Sequence, residues 1–224
     1  PDPTRSHNRG ARLSNMLKEV LGHTKMLNFT GTGIAHWFVM IGFGALFGTL
    51  ITAYGQLVQP DFALPIIGHF VGYELFAEVI AALTGIGIVT LIGIRQATRF
   101  WHKGRTSRFA GSNQGRAYYV EATILAVVFC VIALRGLEGA LAGEKSWSLH
   151  YAISWPAVTF FSSWSTSAIE SAIVVVAAAK IFVSMLWFIV IASNLTMGVA
   201  WHRFLAFFNI YFKRNIDKPS LGAL

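Results

Sequence analysis

Four apolar stretches, at 27–58, 65–94, 118–142 and 171–201, dominate this chain of 224 residues. Each is longer than the roughly 20 residues an α-helix needs to cross about 30 Å of hydrocarbon. Inside lipid every backbone N–H and C=O must find its partner within the chain, which leaves helices as the economical solution for four such stretches. Charged residues make up 12% of the chain, about half of what a soluble domain carries. The reading is an all-α membrane protein with four transmembrane helices.

The basic residues orient it. Of the 18 Lys and Arg, all except Arg135, Lys145 and Lys180 fall before the first span, between the second and third, or after the fourth. By the positive-inside rule both ends of this sequence are expected on the cytoplasmic side of the membrane. The formal charge of +8 is then an orientation signal and an attraction to anionic lipid, with no reason to invoke nucleic acid. Within 1–26, Leu13, Met16, Leu17, Val20 and Leu21 recur at helical spacing and predict an amphipathic helix at the cytoplasmic interface. The connection 143–170 carries Trp147, Trp155, Phe160, Phe161 and Trp164, an aromatic density suited to the outer headgroup layer. The one cysteine, Cys130, lies in the third span and reads as a small apolar core residue, since iron–sulfur clusters need several. Residues 213–224 read as a linker, so the chain is expected to be part of something longer.

The chemistry begins with His36 and His202. They lie in, or at the edge of, the first and last spans and are expected at one depth near the basic side. Imidazole in hydrocarbon is costly unless its polarity is consumed. Two imidazoles facing one another at one level suit bis-histidine ligation of one haem b, with His36 and His202 as the iron ligands. Gly33, Met40 and Gly44 share the His36 face, leaving room for a flat ring. Gly198, Leu195, Ile191, Ser184 and Lys180 are expected to share the face of His202. Of the other histidines, His7 and His102 sit in basic loops. His23 is expected at the surface, with a quinone- or propionate-lining role as the alternative. His69 and His150 lie on the outer side, where they would contribute to a quinone site or, less favoured, a second haem.

Charges inside the spans form a second signal. Glu74 and Glu78 are one helical turn apart, and Arg135, Glu138 and Lys180 lie in the later spans. Such groups either pair with one another, Arg135 with Glu74 or Glu78 for instance, or line a polar cavity. A cavity of that kind would deliver the protons that quinone reduction consumes, and Lys180 would contact propionate or quinone. A proton or ion transporter is the weaker reading, because no inverted repeat and no proline-broken helix marks the bilayer midplane. A cofactor-free anchor that docks a soluble redox enzyme is the other rival.

The segments "GIAHWFVMIGFGALF" and "MGVAWHRFLAFFNIYFKR" resemble the membrane cytochrome b domain, similar to the nitrate reductase gamma subunit, found in large iron–sulfur oxidoreductases related to heterodisulfide reductase. "LGHTKM", "FALPIIGHFVGYE" and "VEATILAVVFCVIALRGLEGAL" look closest to the actinobacterial branch, which includes electron-transfer-flavoprotein:menaquinone oxidoreductases. The resemblance implies a haem-bearing bundle that passes electrons between cytoplasmic iron–sulfur clusters, held in a following domain or subunit, and menaquinone. Two-haem members carry a second histidine further along the first ligand helix and another upstream in the last. Here those positions are Leu46 and Ser184, which implies a single haem on the cytoplasmic side.

Overall fold

A computed structural model describes residues 3–101 and 113–214, and it is helical throughout, with short turns and 3₁₀ pieces between the helices. In chain order these are α1 (Arg9–Leu21), α2 (Thr30–Ala45), α3 (Phe47–Gln56), α4 (Val71–Trp101), α5 (Gln114–Leu141), α6 (Trp155–Phe161), α7 (Thr166–Ser193) and α8 (Gly198–Tyr211). Three of them, α4, α5 and α7, are long and apolar enough to cross a membrane, and α2 with α3 makes a fourth span if the bent pair is counted as one. The chain is a multi-pass all-α membrane protein. The cations Lys103, Arg105, Arg108 and Lys218, His102 and the segment 215–224 lie outside the described residues.

Two of the expected spans are interrupted. The first bends by 42° between α2 and α3, with no proline at the break. Thr49 explains it. Its N–H and its hydroxyl both donate to the Leu46 carbonyl, at 3.1 and 2.6 Å, and Lys180 Nζ donates to the Thr49 carbonyl at 2.7 Å and to its Oγ1 at 2.8 Å. A threonine bonding back to its own helix and a side chain entering the ladder are recognised causes of bending. The fourth stretch ends at Ser193, well short of 201. Asn194 N–H turns back to the Ile191 carbonyl, Met197 N–H bonds the Asn194 carbonyl, and a new helix starts at Gly198. His202 therefore sits on α8, a separate helix, and Lys180 and Ser184 on α7 do not share its face.

The second span begins later than its hydropathy suggests, at Val71. Residues 57–70 fold as turns through Pro65, with Ile66 in the left-handed region at φ 71°. The third starts at an Asn113 N-cap, whose side chain accepts the Arg116 N–H at 2.9 Å, and α7 starts at a Ser165 cap. Helix α4 packs along α2, α5 packs against both α4 and α7, and α3 packs on α7. The α2–α4 approach is close enough that a Cβ at Gly42 would meet Thr84 Oγ1 at 1.9 Å, and one at Gly87 would meet the Ala35 carbonyl at 2.6 Å. Cys130 is buried.

The aromatic connection folds as α6 lying on α5, with Val158 buried and Trp147, Phe160 and Trp164 exposed. At the other end of the bundle α1 packs on α8. Its Leu13, Leu17 and Leu21 are exposed in one stripe, as an interfacial helix requires. Arg12 is buried and tethers it, donating to the carbonyls of Tyr211 at 3.0 Å and Lys213 at 2.8 Å just where α8 ends. Glu19 receives Lys213 Nζ at 2.6 Å and Lys25 at 2.9 Å. Burial works against the Glu19 carboxylate, but the hydrogen bonds from Lys213, Lys25 and Asn15 outweigh it and hold the pKa at about 2.

Candidate functional site

Polar chemistry gathers at the two ends of the bundle. At the end where α1 and α8 meet, His36 in the second turn of α2 faces His202 in the second turn of α8, with ring centroids 5.9 Å apart and planes tilted by 48°. His23, in the turn between α1 and α2, stacks on His36 with centroids 5.0 Å apart. The surface role expected of His23 is wrong: it is 8% exposed. Its Nδ1 lies 3.2 Å from the Val20 carbonyl and its Nε2 lies 2.8 Å from His36 Nδ1.

Arg203 follows His202 and lays its guanidinium over Phe43 at 4.7 Å and Trp187 at 5.0 Å. Burial lowers the Arg203 pKa to about 10. Burial, and then the Arg203 charge, lower that of His202, so its imidazole is neutral near pH 7 and able to ligate a metal. Gly33 and Gly44 do not form the expected cradle. A Cβ at Gly33 would strike the Met26 carbonyl at 2.3 Å, and Gly44 faces open space. An apolar slot of about 90 Å³ is lined by Val39, Gly42, Phe43, Trp187, Phe188 and Arg203 among others; neither His36 nor His202 is on its wall.

The opposite end holds the intramembrane charges. Arg135 on α5 reaches Glu74 at 3.2 Å, Glu78 at 3.4 Å and Glu138 at 2.5 Å, and its Nη2 donates to the His150 carbonyl. His150 Nδ1 hydrogen-bonds Glu74. Glu78, fully buried, accepts from the N–H groups of Ile153 and Ser154 at 2.7 and 3.2 Å and from the Ser154 hydroxyl at 2.5 Å. The pairing of Arg135 with both glutamates follows the ion-pair alternative read from the sequence. A cation desolvated among carboxylates is satisfied, and removing either side would strand the other.

Beside this network lies a cavity of about 450 Å³. Its wall brings together five of the residues singled out in the sequence, His69, Glu74, Arg135, Glu138 and Lys180, with Gln56, Tyr73 and Glu170. Glu78 does not line it. Gln56 is 1% exposed, and its Nε2 donates to Glu138 Oε1 at 2.6 Å, which leaves its Oε1 as an acceptor. Gln56 Oε1 and the Tyr73 hydroxyl are buried polar atoms without a protein hydrogen-bond partner among the described residues. Neither Gln56 nor Tyr73 stood out in the sequence. An apolar span with one Gln or Tyr at a helix end carries no periodic signal. Lys180, buried and held by Thr49, lines this cavity and the apolar slot alike, so it stands between the two ends rather than beside His202.

Among the described residues no group of three or more His, Cys, Asp or Glu side chains is arranged to hold a metal ion. A two-imidazole site for an iron porphyrin asks for less. Metal–nitrogen bonds of roughly 2 Å on either side put the rings roughly 6 Å apart between centres, and the His36–His202 separation of 5.9 Å matches. The donor set fits haem. The slot that Arg203, Phe43 and Trp187 help to line, about 90 Å³, is too small for a macrocycle as it stands, so a ring bound at the pair needs neighbouring side chains to move. Comparison with protein-family models, curated proteins and solved structures finds no match to this chain.

Proposed function

We propose that this chain is the membrane-embedded b-type cytochrome module of a quinone-reducing oxidoreductase, resembling the electron-transfer-flavoprotein:menaquinone type. The observation that carries the reading is the facing pair His36 and His202 at ligating separation. Bound there, one haem b would supply reversible one-electron transfer; the chain's part is ligation, placement and the dielectric around it. His36 and His202 would hold the iron. Arg203, stacked on apolar rings next to the ligand, offers a fixed cation for a carboxylate of the ring.

Electrons would come from an iron–sulfur domain or subunit on the cytoplasmic side, itself fed by an electron-transfer flavoprotein, with the α1–α8 face of the bundle turned toward it. The menaquinone head would occupy the 450 Å³ cavity, where the Tyr73 hydroxyl and Lys180 can donate to its carbonyl oxygens and Gln56 Oε1 can accept from the reduced form. Glu74, Glu138 and His69 on the same wall are groups through which protons can reach it. The module would sit in the plasma membrane of a bacterium, with both described ends cytoplasmic.

The test is haem stoichiometry. Purified full chain should carry one haem b per polypeptide in a pyridine-haem assay, and His36→Ala and His202→Ala should each abolish the low-spin band. A haem-free protein, or a band unchanged in both variants, removes the reading. The small volume of the apolar slot favours a second reading, a cofactor-free anchor for a soluble redox enzyme, which predicts full assembly and turnover after both histidines are replaced. The bend at Thr49 interrupts a span without a proline, so the grounds on which transport ranked low still stand. Proton flux into vesicles without an electron donor would point there instead.

A further inference from the structure

His23 was expected at the surface, or else lining a quinone or propionate, yet it makes the one side-chain hydrogen bond that His36 has among the contacts described. Its own Nδ1 is 3.2 Å from the Val20 carbonyl. A carbonyl oxygen only accepts, so Nδ1 of His23 carries its proton and donates. The neutral ring then presents the lone pair of Nε2 to His36 Nδ1 at 2.8 Å, and that bond needs the proton on His36 Nδ1. The consequence runs to the far side of the second ring: His36 Nε2 is left as the unprotonated nitrogen.

The backbone is bent to achieve this. His23 has φ 51°, a conformation that few residues other than glycine adopt. Strain of this kind costs about 1–3 kcal/mol and persists where the surroundings demand it. The surroundings here are Gly22, which closes α1 against Lys18, and Trp37 on α2, whose Nε1 donates to the Leu21 carbonyl at 2.8 Å. Together they hold the turn so that the ring points inward, onto His36.

We infer that His23 is a positioning residue: it fixes the tautomer and the ring orientation of His36, so that Nε2 is offered as a ready ligand to a metal-centred cofactor. It rests on the haem reading only for the identity of the metal. Ligand histidines generally donate their other N–H to a carboxylate, a carbonyl or water, and loss of that partner costs about 10–100-fold in metal affinity or activity. A neutral imidazole in that role is a weaker acceptor than a carboxylate, so it orients His36 without the full electron push that a carboxylate would add.

The experiment uses the full chain in lipid nanodiscs with ¹⁵N-labelled histidine, first without haem. His36, assigned by its loss in His36→Gln, should show one neutral form, protonated at Nδ1. His23→Met should move it toward the Nε2–H form and weaken haemin binding 10–100-fold. His23→Gln restores an acceptor oxygen and should recover both. A His36 protonated at Nε2 in the unaltered protein overturns the inference, and that measurement needs no variant to fold. So does a His23→Met protein that keeps both tautomer and haemin affinity. If the unaltered chain takes up no haemin while the His36 tautomer still follows residue 23, the haem reading fails and the positioning role stands.

Discussion

The two ends of the bundle treat buried polarity in opposite ways. At the cavity end Arg135 holds three carboxylates and a backbone carbonyl, and Glu78 accepts from Arg135 and three further donors. At the histidine end the partners of His36 are two more imidazoles, and Arg203 lies over aromatic rings. The first is an arrangement in which charge is cancelled by charge, and it serves the fold whether or not anything binds. The second sets imidazole against imidazole and a cation against aromatic rings, which gives the fold little and suits a ligand with a metal centre and an anionic edge.

That contrast makes quantitative expectations, which descend in size from one end to the other. Arg135→Leu strands Glu74, Glu78 and Glu138 in the bundle and should cost about 3–5 kcal/mol, seen as a large drop in the thermal midpoint of the detergent-solubilised protein. Glu78→Gln keeps the shape but removes the charge and one acceptor set, for about 1–3 kcal/mol. His36→Leu should stay within about 1 kcal/mol of the parent in the same assay while removing any haem band. A loss as large as that of Arg135→Leu would mean that the histidine end is structural too. Lys180→Met exchanges a buried cation, with only Thr49 as hydrogen-bond partner among the described residues, for an apolar chain of similar length, and should be neutral or slightly stabilising. If the quinone head sits in the cavity, the same variant lowers quinone reduction.

Glu19 supplies the expectation that depends on pH. Its folded pKa, about 2, lies below the ordinary 4.5. The stabilisation it brings to the α1–α8 contact is therefore complete above pH 4.5 and disappears as the pH falls toward 2. Hydrogen exchange in α1 should quicken across that interval and remain flat above it; Glu19→Gln should abolish the step.

Much of the fold was legible because lipid-spanning helices advertise themselves by length and apolarity alone, as α5 and α7 do. What was hidden turned on single hydrogen bonds. Nothing in the run from 27 to 58 announces that Thr49 and Lys180 will bend it, because Lys180 arrives from another helix. Asn194 is a visible stop signal inside 171–201, but Val190, Ile191 and Ala192 before it and Leu195, Met197 and Val199 after it outvote it in a hydropathy window. At the site, Glu74, Arg135 and Lys180 were conspicuous as charges in apolar surroundings. His23 was not, since a histidine beside Gly22 in a basic segment looks solvated until φ 51° turns its ring inward. Gly42, rather than Gly33 or Gly44, lines the apolar slot, a distinction that depends on which neighbour each helix face meets.

The clasp of Arg12 on the last carbonyls of α8 has a mechanical consequence. A tug on the chain beyond Lys213 is transmitted first to α1, through Arg12 and Glu19, and α1 ends at the turn that carries His23. Whatever hangs from that end of the molecule thus holds a lever whose short arm rests on the imidazole pair.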